Sequence, residues 1–415
     1  MSDLRTVRDV RVAARLKKRY AAERRFRLFG LGAVVFSALV LAFLLVTMSA
    51  NGIAGFQRAE LKLALDLPAS GIQMDAKRLA QDDAMGGLEL AGLPRAVEAS
   101  ATAEYGEAGP DLFSDDAWRD VARALIADPS LLNRKADISL PASDDLATAL
   151  RGDGDPALKP VARQLKQDGR LAVVFDKGFL SRSDATSPQA VGIWGALKGS
   201  IMTMAITLLL AFPIGVLAAI YLEEYAHRNR WTDWIEVSIN NLAAVPSIIF
   251  GLLGLAVFLW MFPNYRSAPL IGGFTLALMT MPVIVISGRN AIKAVPPSIR
   301  DGALAVGASP IQTVFHHVLP LALPGILTGT IIGMARALGE PAPLLMIGMR
   351  AFVATAPEGF TSPSSVLPVQ IFLWSDEIDR GFIERTSAAI IVLLLFLLVM
   401  NGLAIYLRNR FEKRW

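Results

Sequence analysis

Two charged residues stand four apart inside an otherwise apolar stretch, Arg336 and Glu340 in ARALGEPAPLL. Charge at such depth is costly, so it ordinarily faces a partner or an aqueous path. Arg336 brings a guanidinium whose fork of N–H donors matches an oxyanion. Two readings stay open on spacing alone: the pair lines a path for an anion, or the two side chains neutralise one another along one helix face. Pro341 and Pro343 follow at once and end or kink the helix, which leaves Glu340 at a break. Arg289, at the inner end of an earlier apolar stretch, is a second basic candidate for the path, unless it only snorkels to the interface. No catalytic constellation accompanies these residues. His227, His316 and His317 are the only histidines, the adjacent pair points to different helix faces, and neither an HExxH nor a nucleophile elbow is present. The acidic group Asp144, Asp145, Asp153 and Asp155 lacks the spacing of a calcium loop and reads as a solvated loop. No metal site and no bound cofactor are therefore expected of this chain, and no enzyme activity.

The elements that must hold such charges are legible from where the apolar residues fall. Of 415 residues 53% are hydrophobic and none is cysteine, and the apolar residues are bunched rather than spread. Stretches of about 20 nearly uncharged residues match the hydrocarbon core of a bilayer, where a helix satisfies its own backbone. Six qualify, over 28–48, 199–222, 239–261, 270–292, 321–348 and 386–407. Ten basic residues from Arg5 to Arg27 precede the first, and Arg408, Arg410, Lys413 and Arg414 follow the last. The basic run reads as a topology signal rather than a nucleic-acid arm, because it abuts a hydrophobic span; an uncleaved anchor with the N-terminus inside then brings the C-terminus inside after six crossings. Arg228, Arg230, Lys293 and Arg300 also fall inside, whereas the short loop 263–269 falls outside with one basic residue, edged by Trp260, Phe262 and Tyr265 as an aromatic belt would be. The expected organisation is a basic cytoplasmic N-terminus (1–27), an anchor (28–48), a soluble extracytoplasmic domain (49–191) and a transmembrane domain (192–415). The fold class expected is all-α integral membrane, with six transmembrane helices and an α or α+β insertion between the first two.

Within the insertion, Ser114-Asp115-Asp116 reads as a helix start, and Trp118, Val121, Ala122, Leu125 and Ile126 recur at helical spacing up to Pro129. The run 171–175 is short, apolar and β-favouring, and is expected to be one buried strand. Absence of cysteine means that this domain holds together without disulfides.

Between the fourth and fifth stretches lies PPSIRDGALAVGASPIQTVFHHVLPLALPG, which encodes two short helices joined by a sharp turn. The first is expected to start near Ser298 and end at Gly307, whose missing Cβ permits a left-handed turn. Ser309 with Gln312 makes a capping box, Pro310 takes the first helical position, and Leu319-Pro320 is expected to stop the second helix before the membrane. A rigid elbow of this shape on the cytoplasmic side fits a groove on a soluble partner and moves with it. Beyond it, Gly325, Gly329 and Gly333 recur every fourth residue, a smooth face on which another helix can pack closely.

The elbow resembles the EAA loop of ABC importer permeases: Asp301-Gly302-Ala303, Gly307 and Leu319-Pro320 match the family's acidic-Ala-Ala triplet, its Gly and its later hydrophobic-Pro, with Asp for Glu and Gly for the first Ala. ARALGEPAPLL resembles the ARxxGETAPLL signature of the A-type permease of phosphate importers, Pro341 standing for Thr, and LEEYA (222–226) and VPSIIFGLLGL (245–255) are similar to that family as well. The resemblance covers about 190 to the C-terminus, and the long outer segment resembles an extension carried by some such permeases. It implies a type I importer permease core. It implies further a homologous permease subunit as heterodimeric partner, two ATPase subunits that use ATP and Mg and dock at Asp301, Gly302, Ala303, Gly307, Ala308, Ser309, Leu319 and Pro320, and a periplasmic phosphate-binding protein. It implies a multi-pass protein of the cell inner membrane with no nucleic-acid partner. The chain itself has no GxxxxGK[ST] to cradle ATP. Another oxyanion or a small organic solute as cargo, and a membrane sensor or scaffold, are the alternatives.

Overall fold

An extended strand puts one residue in two on the same side, and in Ala59-Glu60-Leu61-Lys62-Leu63-Ala64-Leu65 those positions carry Ala59 and three leucines; in the computed structural model the segment forms β1, Gln57–Asp66, with Ala59, Leu61, Leu63 and Leu65 all buried. The structure describes residues 2–68, 72, 84–152, 154–349, 352–379 and 381–411, so Asp153, Lys413 and Arg414 lie outside the described residues. β1 is the central strand of a three-stranded antiparallel sheet of order β2-β1-β3. β2 is Lys135–Pro141 and β3 is Leu171–Phe175. Leu61 pairs with Leu140 on one side and with Leu171 on the other. The strand at 171–175 is therefore present, but it is an edge strand in which only Leu171 is buried, because β1 covers one flank and solvent the other. Helices Leu93–Tyr105, Ala117–Ala127, Asp144–Leu150 and Leu158–Gln167 supply the rest of this core. The helix expected from 114–126 starts at Ala117 with Asp116 at its N-cap, and buries Trp118, Val121, Ala122 and Leu125. The insertion is thus α+β.

The chain divides into two compact units, Met1–Asn51 and Gly52–Trp415. The first consists of the opening portion of one long helix, Ser2–Gly55, whose apolar stretch is exposed all round; a helix hydrophobic on every face belongs in lipid. Among the described residues, five helices are long and apolar enough to cross a membrane: Arg19–Gly55, Trp194–Tyr225, Pro269–Lys293, Pro310–Leu338 and Gly381–Arg410. A sixth crossing is counted if the bent pair Arg230–Ala243 and Ser247–Met261 is one span.

Three expectations about these helices are corrected. The stretch 239–261 is not straight: it breaks between Ala243 and Ser247 and turns by 105°, because Pro246 denies a backbone N–H and pushes Val245 out of the α region. Conversely, Leu319-Pro320 does not stop the second elbow helix. From Pro310 the chain runs through a π turn, Thr313–Val318, straight into the fifth span, Leu319–Leu338. The wider turn just before Pro320 absorbs the hydrogen bond that the proline cannot donate. The fifth span then ends at Leu338, and 342–346 is a separate short helix rather than its continuation.

The second span packs along the whole fourth span through small residues. A Cβ on Gly273 would fall 2.5 Å from that of Ile206, and one on Gly215 2.8 Å from Ile284 Cγ2. At the head of the sixth span, Phe179 and Val191 of the insertion and Ile193 just after it share one apolar cluster with Trp374, Phe382 and Ala388. Arg385 lies at its heart, and Gln189 donates to Asp144 at 2.6 Å beside it. Burial pushes the Asp144 carboxyl up to about 6, against the pull of the Gln189 hydrogen bond and with neighbouring Asp379 adding to the rise.

Candidate functional site

The elbow is built by its own local chemistry. Pro296 and Pro297 open the first helix, Pro297–Ala305, with Ser298 inside it rather than at the cap. Ala308 N–H returns to Ala303 O at 3.0 Å and Gly307 N–H to Leu304 O at 3.0 Å, which closes the end with Gly307 at φ 91°. Ser309 and Gln312 form the reciprocal capping box, Gln312 N–H on Ser309 Oγ at 3.3 Å and Ser309 N–H on Gln312 Oε1 at 2.9 Å. Ala303 is the buried member of the triplet, while Asp301, Gly302, Gly307 and Ser309 are exposed and Ala308 is half-buried. Around the turn stand exposed apolar side chains, Val306 at 83% and Ile311 at 63%, with Leu304 and Phe315 beside them. His316 and His317 are exposed on the same turn. Gly307→Val should destabilise the elbow by about 1–2 kcal/mol, read as faster amide exchange across 297–312; unchanged exchange would mean the turn relaxes without strain.

The elbow is also tied to the spans above it. Arg300 reaches Glu224 of the LEEYA turn, with Nη2 at 2.5 Å from Oε1 and Nε at 3.1 Å. The same guanidinium donates to the carbonyls of Val295 at 2.8 Å and Ile292 at 3.0 Å. Arg289, offered by the sequence as a second path residue, is occupied by Glu223 at 3.4 Å and Glu236 at 3.0 Å. Glu223, Glu224 and Glu236 did not emerge from the sequence as partners, since 53 to 76 residues separate them from the arginines.

Arg336 lies in the last turn of the fifth span and is exposed; Glu340 is half-buried just past the helix end. Among the described residues no ion pair or side-chain hydrogen bond joins them to each other or to any other group. The helix ends at Leu338, and Glu340 N–H turns back to Ala337 O at 3.4 Å, so the i,i+4 geometry that pairing needs is lost. Beyond the break, Pro343 packs under the third span: a Cβ on Gly251 would fall 2.7 Å from Pro343 Cα. Two motifs 90 residues apart in the chain, VPSIIFGLLGL and GEPAPLL, thus meet. The glycine file of the fifth span lies on the fourth, Gly325 against Ala291, Gly329 against Ser287 and Gly333 against Thr280.

The chain matches two family patterns, a domain of unknown function over residues 13–159 and the inner membrane component of binding-protein-dependent transport systems over 211–414. It is similar to the probable ABC transporter permease protein YqgI of Bacillus subtilis, 30% identical over 251 residues that cover 57% of this chain and 84% of the relative. It is similar to the phosphate transport system permease protein PstA of Haemophilus influenzae, 31% identical over 51% of this chain and 73% of the relative. Its match to PstA 1 of Mycobacterium tuberculosis, at 32%, covers 38% of this chain and spans about half, 51%, of that protein. Among solved structures it is similar to the MetNI methionine ABC transporter in an inward-facing conformation, at 16% identity and a TM-score of 0.42, over 54% of this chain and 95% of that one; at that level nothing about the site transfers.

Six potential crossings, a capped helical elbow and these relatives define a multi-pass inner-membrane permease subunit of an ABC importer. Within that class, the chain belongs to the family of permeases that holds the PstA phosphate transport system permeases.

Proposed function

We propose that the chain is one permease subunit of an ATP-driven phosphate importer, passing phosphate from a periplasmic binding protein to the cytoplasm, with both termini cytoplasmic. The observation that carries this reading is the elbow 296–320: a short, internally capped pair of helices with an apolar knuckle at Val306 and Ile311, too exposed to be left facing water. Its occupant is the groove of a separate ATPase subunit, two of which hydrolyse ATP with Mg while this chain and a homologous, non-identical permease form the pore. The second helix of the elbow is continuous with the fifth span, so a push on the knuckle reaches Arg336 along a single rod. Arg336, unpaired among the described residues, offers its guanidinium to the phosphate oxygens as they pass, and Glu340 at the break supplies a carboxylate that keeps the anion from settling there. Relatives named as phosphate transport permeases support the choice of cargo.

Labelled-phosphate uptake by a strain lacking this chain tests the proposal. The intact chain should restore uptake, and Arg336→Ala at normal expression should lower it by about tenfold or more, the scale of one lost charge-assisted contact. No restoration by a correctly inserted chain with its partners present would move the cargo to another oxyanion.

A further inference from the structure

Glu223 and Glu224 lie in a π turn, Tyr221–Tyr225, that ends the second span. Successive residues on a helix point about 100° apart, and the two carboxylates go to different elements: Glu223 to Arg289 on the fourth span, Glu224 to Arg300 on the elbow. Arg289 reaches on to Glu236, on the helix Arg230–Ala243 that precedes the 105° bend. Two arginines therefore gather four elements at the cytoplasmic face: the second span, the bent helix, the fourth span and the elbow.

Arg300 does more than pair. Its donors to Ile292 and Val295 add to the turn that closes the fourth span, where Val295 N–H already reaches Ile292 O at 3.2 Å, and tie that turn to the elbow. Its planar fork thus bridges a carboxylate on one span and a helix terminus on another, from a position one residue before the elbow's acidic triplet. The Arg300 and Glu224 side chains are only 22% and 11% exposed, so salt screens this pair less than a surface one. A lysine, with a single ammonium, cannot reproduce that fork.

We propose that Arg300 with Glu224, seconded by Arg289 between Glu223 and Glu236, is a latch that makes the second and fourth spans follow the elbow. It is a positioning device for transport, and it deepens the reading of the elbow given above. The fifth span follows the elbow by covalent continuity; the second and fourth are joined to it by the short segment 294–296 and by non-directional apolar contacts of Val314 and Val318 in the cluster that holds Ile220 and Ile292, and the latch adds a directional, charged tie. Without the latch, ATP-driven movement of the elbow still bends the fifth span but no longer carries the helices packed on it.

The test uses Glu224→Gln, which keeps size and hydrogen-bonding reach but removes the charge, with Arg300→Lys as the variant least disturbing to folding. In vesicles holding the assembled transporter, ATP hydrolysis should stay within about twofold of the unmodified protein while phosphate uptake falls about tenfold, so that the ATP spent per phosphate rises. A loss of both in equal proportion, or of neither, overturns the proposal. A second readout needs neither cargo nor ATPase. Spin labels at Ala226→Cys and Ala308→Cys, in the full chain in lipid nanodiscs, should give one narrow distance distribution that broadens in Glu224→Gln and, to a smaller degree, in Arg300→Lys. An unchanged width overturns the latch even where uptake fails because the cargo is not phosphate; a broadened width with no phosphate uptake by the unmodified chain faults the cargo alone.

Discussion

Arg385→Ala is expected to lower the thermal midpoint of the full-length protein by several degrees and to open the segment 176–193 to protease. Arg385 is 3% exposed and donates in three directions, to Asp176 Oδ2 at 2.9 Å, to Pro188 O at 2.8 Å and to Gly55 O at 2.7 Å. Its guanidinium also lies 5.1 Å from the centre of the Phe179 ring. These acceptors belong to the end of the first helix, the turn after β3 and the loop before the second span, so one side chain at the head of the sixth span ties together three segments. Removing one member of a buried pair costs about 3–5 kcal/mol. The low end applies here, because Asp176 keeps Arg182 at 2.8 Å while the two carbonyls lose their donor. Trp374, 6.3 Å from both Phe179 and Phe382, sits inside the cluster and should shift to the red as it becomes wet. Arg385→Lys keeps the charge but cannot reach three divergent acceptors, and its midpoint should fall between the two. Equal midpoints for all three proteins would show that the apolar cluster alone holds the junction.

The same junction explains what the sequence could and could not reveal. The spans are visible because lipid demands a long apolar run, and a single chain displays that directly. The alternation at 59–65 is as plain a signal for β1, yet it borders the first apolar helix and is easily taken for that helix's tail. The bend at Pro246 and the passage through Pro320 are opposite outcomes for the same residue type. At Pro246 no element restores the lost hydrogen bond, whereas at Pro320 the π turn does so in advance. Arg385 reads in sequence as an ordinary charge at a span's edge, and its acceptors lie 197 to 330 residues away. Arg336 and Glu340 stand at helical spacing, and only the helix end at Leu338 parts them. The elbow was legible in detail because its caps are local: Gly307, Ser309, Pro310 and Gln312 all act within a few residues of themselves.

Gly329→Leu is expected to abolish transport while leaving the chain inserted. Gly329 is the buried centre of the glycine file, and even a methyl there would overlap Ser287 on the fourth span. Transmembrane helices gain their association from close packing rather than from a hydrophobic drive, so a forced separation is not recovered elsewhere. Overpacking of this kind costs about 3 kcal/mol, and the separation falls between the helix that carries Arg336 and the helix whose end Arg300 caps. Gly325 is exposed, so although a Cβ placed on it falls 2.7 Å from Ala291 Cβ and the helices must give there, Gly325→Leu can carry the rest of its side chain outward and should cost less. The contact itself can be isolated with the smaller change Gly329→Ala. Its midpoint and its uptake should both recover when Ser287→Gly removes the opposing Cβ and Oγ, because the two substitutions share one space and are not additive. Additive losses in the double variant would mean that the helices do not meet at this pair, and that the spacing of Gly325, Gly329 and Gly333 serves a lipid-facing surface instead.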